Sequence, residues 1–372
     1  MRDNLFAVWL TVNLNFSVSV RKILESHTPD QIYKMTENEL LDSGFSQNFA
    51  KKLSDKDITR AERIVTICRH SQIDIIPFWD ERYPDNLRDA PHAPIVIYTK
   101  GNVEGLRNGL KVGFVGTRTT SVRGREFSTR LCEELVAKRA ILVSGGASGT
   151  DSYALIEAVE KGVFCAAVLG CDINDYFPAK NYSLFECVSR CGVVISEYPP
   201  GTNARWFPER NRIIAALSDR LVVAEAPEKS GALITANYAA AYNKPVFAPD
   251  IEGEGHAGCR NLLKLGAHEV RCADDVILNS APTPFKLEIK NVKKESVKKT
   301  CKNKNIKKLP EPKVFDSPDL TYVYSCILSG RDTVEKMVDA EHRVSRVMCA
   351  VSALELEGEI TACPGGRYSI VL

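Results

Sequence analysis

The stretch FPERNRII, residues 207–214, combines a helix-start signal with two cations. Pro208 suits the first turn of a helix, because its fixed φ fits there and its missing N–H would be unpaired in any case. Arg210 and Arg212 add positive charge where the unpaired N–H groups of a helix start already carry a partial positive charge. Because helix starts usually favour Asp and Glu, this stretch predicts an anion nearby.

The two arginines are expected to point in different directions. At about 100° per residue, Arg210 shares a face with the apolar residues of the helix, whereas Arg212 points nearly opposite. Arg210 should therefore lean toward the core and a pocket mouth, where a partly desolvated cation needs a partner. A phosphate is one candidate; the alternative is an internal ion pair with Glu197, Glu225 or Asp151.

Two glycine-containing segments could also approach an anion. VGTR contains Gly116 and Arg118, and SGGASGTD, residues 144–151, opens a helix with Ser144, Gly145 and Gly149. Glycines let backbone N–H groups approach a phosphate at a helix start. A tight turn is the alternative for each segment, and Asp151 could either cap its helix or oppose an anion. No G-x-x-x-x-G-K-[ST] motif is present, so a Walker-type nucleotide triphosphatase is not supported.

A third segment, CDINDYFPAKNYSLF at residues 171–185, sets a lysine among aromatic residues. Lys180 and Asn181 follow a proline-containing loop, and rings beside a lysine suit bases stacked over a charged backbone. Packing of the rings in the core explains them equally well.

These segments each follow an apolar run of the kind that forms buried strands. We predict strands at 111–116, 140–145, 163–170, 192–196, 220–225 and 245–249. Amphipathic stretches alternate with them, which indicates an α/β fold with a Rossmann-like parallel sheet covered on both faces. Ligands of such sheets bind beyond the carboxyl ends of the strands, so the glycine, lysine and arginine segments should converge at one edge.

Four regions are expected along the chain: a helical module (1–75), the Rossmann-like domain (76–281), a lysine-rich linker (282–315) and a winged helix (316–372). Residues 286–308 hold ten lysines against two glutamates, so the remainder of a chain of net charge +2 is acidic. This run indicates a solvated linker, with a non-specific DNA tether as the alternative. The long helix of the winged domain favours protein contact or packing over DNA readout.

Composition excludes several classes of protein. Apolar content of 44% and charged content of 26% are ordinary for a globular chain, and no apolar run approaches a membrane span. No signal peptide is evident, so a cytoplasmic location is expected. The twelve cysteines include no C-x-x-C pair, which favours reduced core residues over a metal site.

Several segments resemble the DprA family, also called Smf or DNA-processing protein A. In order along the chain they are VGTR, SGGASGTD, YFPAKN, VISEYPPG, FPERNRIIAAL, VVAEAPEKSGALITA and GCRNLLKLGA. The similarity covers about residues 80–270, and the C-terminal winged helix also fits. Three positions depart from the family's usual pattern: Thr150 replaces isoleucine, Leu155 replaces histidine and Asp250 replaces glycine. Asp250 would add negative charge near one rim and lower the expected affinity.

The resemblance implies a homodimer that binds single-stranded DNA, protects incoming strands and helps load the RecA recombinase during natural transformation. It implies no enzymatic activity, no catalytic or metal-binding residue and no cofactor. The expected DNA contacts are Gly116, Arg118, Ser144, Gly145, Gly149, Lys180, Asn181, Arg210, Asn211 and Arg212.

Two other function classes stay open. SGGASGTD is similar to the G-G-x-x-G-T signature of Rossmann enzymes that cleave the N-glycosidic bond of nucleoside monophosphates. That chemistry needs a carboxylate over the ribose, and Ala154 and Leu155 stand at the expected helix position. The third class is a scaffold that acts through its helical and winged ends.

Overall fold

The computed structural model describes residues 2–14, 21–202, 205–283, 315, 317–328, 333–338, 342, 346–347, 350–351, 353–354, 359–363 and 367–370. The chain divides into two compact units, Met1–Ile289 and Lys290–Leu372. Most of the predicted lysine-rich linker, residues 284–314, lies outside the described residues. The finer domain boundaries stay predictions.

Helices and strands alternate through most of the first unit. Its helices are α1 (Arg2–Leu14), α2 (Arg21–Leu24), α3 (Pro29–Lys34), α4 (Glu37–Asp42), α5 (Gln47–Ser54), α6 (Thr59–His70), α7 (Asp85–Arg88), α8 (Val122–Ala137), α9 (Thr150–Glu160), α10 (Tyr182–Cys191), α11 (Phe207–Leu217), α12 (Ala232–Ala241), α13 (Ala257–Lys264) and α14 (Ala273–Leu278). Its strands are β1 (Asp74–Pro77), β2 (Val96–Gly101), β3 (Lys111–Gly116), β4 (Ile141–Ser144), β5 (Cys165–Asp172), β6 (Val193–Tyr198), β7 (Arg220–Glu225), β8 (Val246–Ala248) and β9 (His268–Glu269).

The strands form one sheet in the order β1-β2-β6-β5-β4-β3-β7-β8-β9. From β6 to β9 every neighbouring pair is parallel, which confirms the six predicted strands and their parallel arrangement. Their ends lie within two residues of the predicted bounds. The strand order places the carboxyl ends of β3 to β7 along a single edge.

Three strands of the sheet were not predicted. β1 and β2 pair antiparallel with each other, and β2 pairs antiparallel with β6. β1 is four residues long and ends in Pro77, which cannot donate to a ladder. β9 spans two residues at the other edge of the sheet. β1 and β9, at the two edges of the sheet, carry too few residues for a recognisable pattern.

Both faces of the sheet are buried, as expected for a doubly wound fold. Phe114 of β3 belongs to a hydrophobic cluster that includes side chains of α8, α9 and α10. Val115, the next residue, belongs to a second cluster with side chains of α7, α11, α12 and α13. The alternation along one strand therefore divides the core into two layers.

The N-terminal helices join the first of these clusters. Trp9 of α1 and Ile64 of α6 are buried in the same cluster as Tyr98 of β2. α1 packs on α6 and also contacts β1 and β2. The helical segment and the antiparallel edge of the sheet therefore share one core.

The second unit has a small core of its own. α15 (Pro318–Leu328) and α16 (Val334–Met337) precede β10 (Ile360–Cys363) and β11 (Arg367–Ile370), which pair antiparallel. Residues 364–366, between β10 and β11, lie outside the described residues, as does part of the segment 344–358, where the long helix of the winged domain is expected. The winged helix stays a prediction.

One buried carboxylate in the first unit is poorly compensated, with Lys161 as the one nearby charge that favours its ionised form. Glu157 of α9 is 8% exposed, and its Oε1 has no hydrogen-bond partner among the residues that the structure describes. Burial raises the pKa of Glu157, and the negative charges of Glu133 and Glu160 raise it further. The ionised form therefore opposes folding.

We predict that Glu157→Gln stabilises the protein, and that the gain depends on pH. Because the folded-state pKa is raised, the wild-type chain loses stability as pH rises from the unfolded pKa of about 4.3 through the folded one. The difference in Tm should be largest near about pH 8 and vanish near about pH 4. Glu126→Gln, at an exposed glutamate of α8 that does not influence the pKa of Glu157, is the control. Thermal unfolding that shows no pH-dependent difference would contradict the prediction.

Candidate nucleic-acid interface

Two adjoining clefts lie at the carboxyl edge of the sheet. The larger, of about 420 Å³, extends from the ends of β3 and β7 to the start of α12, and the smaller is about 100 Å³. Both are lined by Arg118, Ala147, Phe207 and Arg210. Of the predicted site residues, those that line the clefts are Gly116, Arg118, Gly145, Arg210 and Asn211.

The glycine segment between β4 and α9 passes close to the turn after β3. Gly149 has a φ of 80°, and a Cβ there would lie 2.5 Å from the carbonyl oxygen of Thr117. The N–H of Thr150 donates to the same carbonyl at 3.2 Å. A side chain at Gly149 would push the two loops apart, so glycine is required for this approach.

The amides of this loop are occupied by a carboxylate of the protein itself. Asp151 is 6% exposed, and its Oδ2 accepts from the N–H of Gly145 at 3.2 Å. Burial raises the pKa of Asp151, whereas Arg210 and the nearby N–H groups of Ala147, Gly116 and Gly145 oppose the rise. Asp151 therefore fills much of the position that the sequence offered to a phosphate.

Arg210 reaches the clefts from the first turns of α11. It is 5% exposed, its Nη1 donates to the carbonyls of Gly145, at 2.9 Å, and of Val168, and its Nε donates to Asn211. Its Nη2 has no partner among the described residues. Burial lowers the pKa of Arg210, and Asp151 is the largest opposing influence. The predicted inward orientation is thus observed, with carbonyl contacts that the sequence did not indicate.

Arg212 lies on the opposite side of α11 and does not line either cleft. It is 7% exposed, and its Nη2 lies 2.5 Å from Oε2 of Glu197 at the end of β6. Burial raises the pKa of Glu197, and Arg212 is the largest influence in the other direction. Glu197, one of the partners considered for Arg210, is thus paired with Arg212.

The other predicted residues fall into two groups. Arg118 and Lys180 are exposed, and the guanidinium of Arg118 lies 5.4 Å from the ring centroid of Phe207. Ser144 and Asn181 make internal contacts: the Ser144 hydroxyl donates to the Phe114 carbonyl at 2.6 Å. The Asn181 amide donates to the Gly146 carbonyl at 2.9 Å. Ser144, Gly149, Lys180 and Asn181 do not line the clefts.

Sequence reasoning gave no role to Phe207 or Lys229. Phe207 lines both clefts, and Lys229 lines the larger one beside the start of α12. Phe207 opens the FPER stretch and Lys229 precedes a Ser-Gly helix start, so each was adjacent to a recognised signal. Their place in the clefts depends on contacts between segments that are far apart in sequence, and no local pattern shows such contacts.

Asp250 lies away from the clefts. It is exposed and lines a separate cleft of about 480 Å³ between α8 and the ends of β8 and β9. The expected repulsion at the rim of the DNA site therefore has no support from its position.

In the part of the chain that the structure describes, no helix is long and apolar enough to cross a membrane. No group of three or more His, Cys, Asp or Glu side chains among those residues is placed to hold a metal ion.

Comparison with known proteins gives consistent results. The chain is 36% identical over 215 residues to protein Smf of Synechocystis, covering 55% of this chain and 54% of the relative. It is 33% identical over 218 residues to DNA processing protein DprA of Bacillus subtilis, covering 58% and 73%. The chain thus spans about half the length of the Synechocystis relative.

Solved structures agree with the sequence comparison. DNA processing protein A of Streptococcus pneumoniae superposes with a TM-score of 0.65 at 28% identity, covering 74% of this chain and 97% of that one. A structure from Helicobacter pylori, described for its single-stranded DNA binding mode, gives 0.51 at 28% identity and covers 55% and 93%. The profile of DNA recombination-mediator protein A matches residues 74–281, more than half of the chain. The resemblance to DprA and Smf is therefore confirmed, and the chain belongs to the DNA recombination-mediator protein A family.

Proposed function

We propose that this protein binds single-stranded DNA at the two clefts, protects incoming strands and helps load the RecA recombinase during natural transformation. The observation that carries the proposal is the pair of arginines, Arg118 and Arg210, beside the rings of Phe177 and Phe207 at the carboxyl edge of the sheet. Cations beside aromatic rings suit a phosphate backbone with stackable bases. The description of the H. pylori relative supports the same ligand.

The rings that line the clefts favour a single strand over a duplex. Phe177 and Phe207 can stack on the faces of bases that are exposed in a single strand and covered in a duplex. Bases that are already unpaired can enter without an unstacking and unpairing cost. We therefore expect a preference for single strands without strong sequence dependence, and a gel shift with single- and double-stranded oligonucleotides at two salt concentrations tests it. Equal or tighter duplex binding would contradict the proposal.

The rival glycosidase function has less support from the geometry. The carboxylate that lines the larger cleft is Asp151, which accepts from the backbone N–H of Gly145 in the glycine loop. Ala154 and Leu155 of α9 are fully buried in the core. A carboxylate engaged by the loop is poorly placed to act over a ribose, which supports binding over bond cleavage.

RecA loading and homodimer formation rest on membership of the family. Their tests are recombinase assembly on single strands covered by a single-strand-binding protein, with and without this protein, and the mass of the free protein in solution. No increase in RecA assembly would remove the loading part of the proposal and leave DNA binding to be judged by the gel shift.

Arg118→Ala is predicted to weaken single-strand binding with little effect on the fold. Arg118 is exposed, so the free energy of unfolding should change by less than about 0.5 kcal/mol. Loss of one phosphate contact should reduce the slope of log K against log salt by roughly 0.7. Fluorescence anisotropy over a salt series measures it, with Arg271→Ala, an exposed arginine outside the clefts, as the control. Equal effects of both variants would refute a specific contact by Arg118.

Arg212→Met is predicted to lower the stability of the protein and to leave the salt dependence of DNA binding unchanged. Removing Arg212 leaves Glu197 buried without its ion-pair partner, which should destabilise the protein by roughly 3–5 kcal/mol. The salt slope of binding, measured where the variant is folded, should match the wild type. Arg212→Met combined with Glu197→Leu should recover stability, because no uncompensated charge then remains. A stable single variant with a reduced slope would instead place Arg212 on the DNA.

A fragment comprising residues 1–289 is predicted to retain single-strand binding. All of the residues that line the two clefts lie in this compact unit. The fragment lacks most of the lysine run, so its binding should be somewhat weaker at low salt. Circular dichroism reports folding, and anisotropy reports binding. A folded fragment without binding would move the DNA site elsewhere in the chain.

A further inference from the structure

Four side chains near the smaller cleft form an alternating series of cations and rings. The guanidinium of Arg118 lies over Phe207 at 5.4 Å from the ring centroid, and Phe207 is stacked with Phe177 at 5.3 Å. The guanidinium of Arg205 lies 4.1 Å from the centroid of Phe177. The two arginines therefore contact different rings, and the pair of rings links them.

The residues that line the two clefts show in which order a bound strand would pass these side chains. The larger cleft runs from Lys229, beside the start of α12, to Arg118 and Phe207. The smaller cleft shares Arg118 and Phe207 and continues to Phe177. Arg205 lines neither cleft but stacks on Phe177, so it lies just beyond the far end of this track.

The backbone next to Arg205 is anchored to the sheet. The N–H of Trp206 donates to the carbonyl of Gly170 on β5 at 2.7 Å, and its ring stacks on Tyr198 with centroids 4.6 Å apart. The backbone at Arg205 is thus held in place because the next residue, Trp206, is hydrogen-bonded to β5. A group held in this way loses less conformational entropy when it binds.

The guanidinium of Arg205 keeps donors available. A guanidinium stacked by its face presents its N–H groups in the plane, away from the ring. Its Nη2 contacts Oδ2 of Asp175 at 3.3 Å, and the two side chains are 44% and 48% exposed. Because an exposed ion pair contributes little, a phosphate can compete with Asp175 for this arginine.

We propose that Arg205 is a further phosphate contact, which positions the strand where it leaves the smaller cleft. This inference rests on the proposed function and extends it by one residue that acts through its stacking on Phe177. Because Arg118 and Arg205 lie against different rings of the stacked pair, we expect them to contact different phosphates of the strand. Asp175 restrains Arg205 until the strand binds.

The test measures binding of fluorescein-labelled oligo(dT) by the full-length protein over a salt series. Arg205→Ala should weaken binding about twofold to fivefold at low salt and reduce the salt slope by roughly 0.7. Arg271→Ala is the matched control, because Arg271 is also exposed and paired with a carboxylate, Glu269. Thermal unfolding should show no more change for Arg205→Ala than for this control.

Asp175→Asn provides the reciprocal variant. It should tighten binding, because Arg205 is released from its competitor, and the gain should be lost in the Asp175→Asn, Arg205→Ala double variant. Phe177→Leu should weaken binding and reduce the additional effect of Arg205→Ala, since the guanidinium loses its platform. A gain from Asp175→Asn that persists without Arg205 would overturn the proposal.

The outcomes separate this inference from the proposed function. If Arg118→Ala weakens binding while Arg205→Ala matches Arg271→Ala, the role of Arg205 is overturned and the cleft site stands. If the wild-type protein does not bind oligo(dT), the proposed function itself fails. A selective loss of affinity and salt slope in Arg205→Ala supports the assignment.

Discussion

The buried guanidinium of Arg210 is the contact around which the carboxyl edge of the sheet is arranged. Through Nη1 it joins the carbonyls of Gly145, just after β4, and of Val168, in the middle of β5, to the first turns of α11. Burying a cation costs free energy unless it is paired. Among the described residues no carboxylate lies within ion-pair distance of Arg210. The edge therefore holds a positive charge with incomplete compensation, next to a helix start of the same sign.

Each of the three acidic residues that could have neutralised Arg210 is used elsewhere. Glu197 pairs with Arg212, and both carboxylate oxygens of Glu225 accept from the N–H of Ser121 at the start of α8. Asp151 binds the amides of the glycine loop. Because these carboxylates satisfy N–H groups and a second arginine, none of them forms a close ion pair with Arg210, and Asp151 offsets its charge only in part. This edge of the sheet thereby keeps an attraction for an external anion.

Residue periodicity was sufficient for the parallel strands and for the opposite directions of Arg210 and Arg212, because both depend on local geometry alone. It was insufficient for choosing the partner of Arg210. Three candidate carboxylates lie on the same edge of the sheet, and the choice depends on distances between loops far apart in sequence. Two further contacts were not predicted for the same reason. They are the hydrogen bond from the glycine loop to Asp151 and the contact of Arg118 with the ring of Phe207. The short strands β1 and β9 carried too few residues to register as a pattern.

The structure also revises what a cation at this helix start implies for stability. A cation at a helix start is unfavourable without an anion, so removing Arg210 would by that effect alone leave the fold intact or slightly stabilised. Its two carbonyl contacts make it part of the core as well, so a change there affects folding and binding together. Arg118 and Arg205 differ because stacking on a ring fixes a guanidinium without burying it. Affinity for an anionic strand can therefore change at the exposed, stacked arginines while the buried one maintains the shape of the clefts.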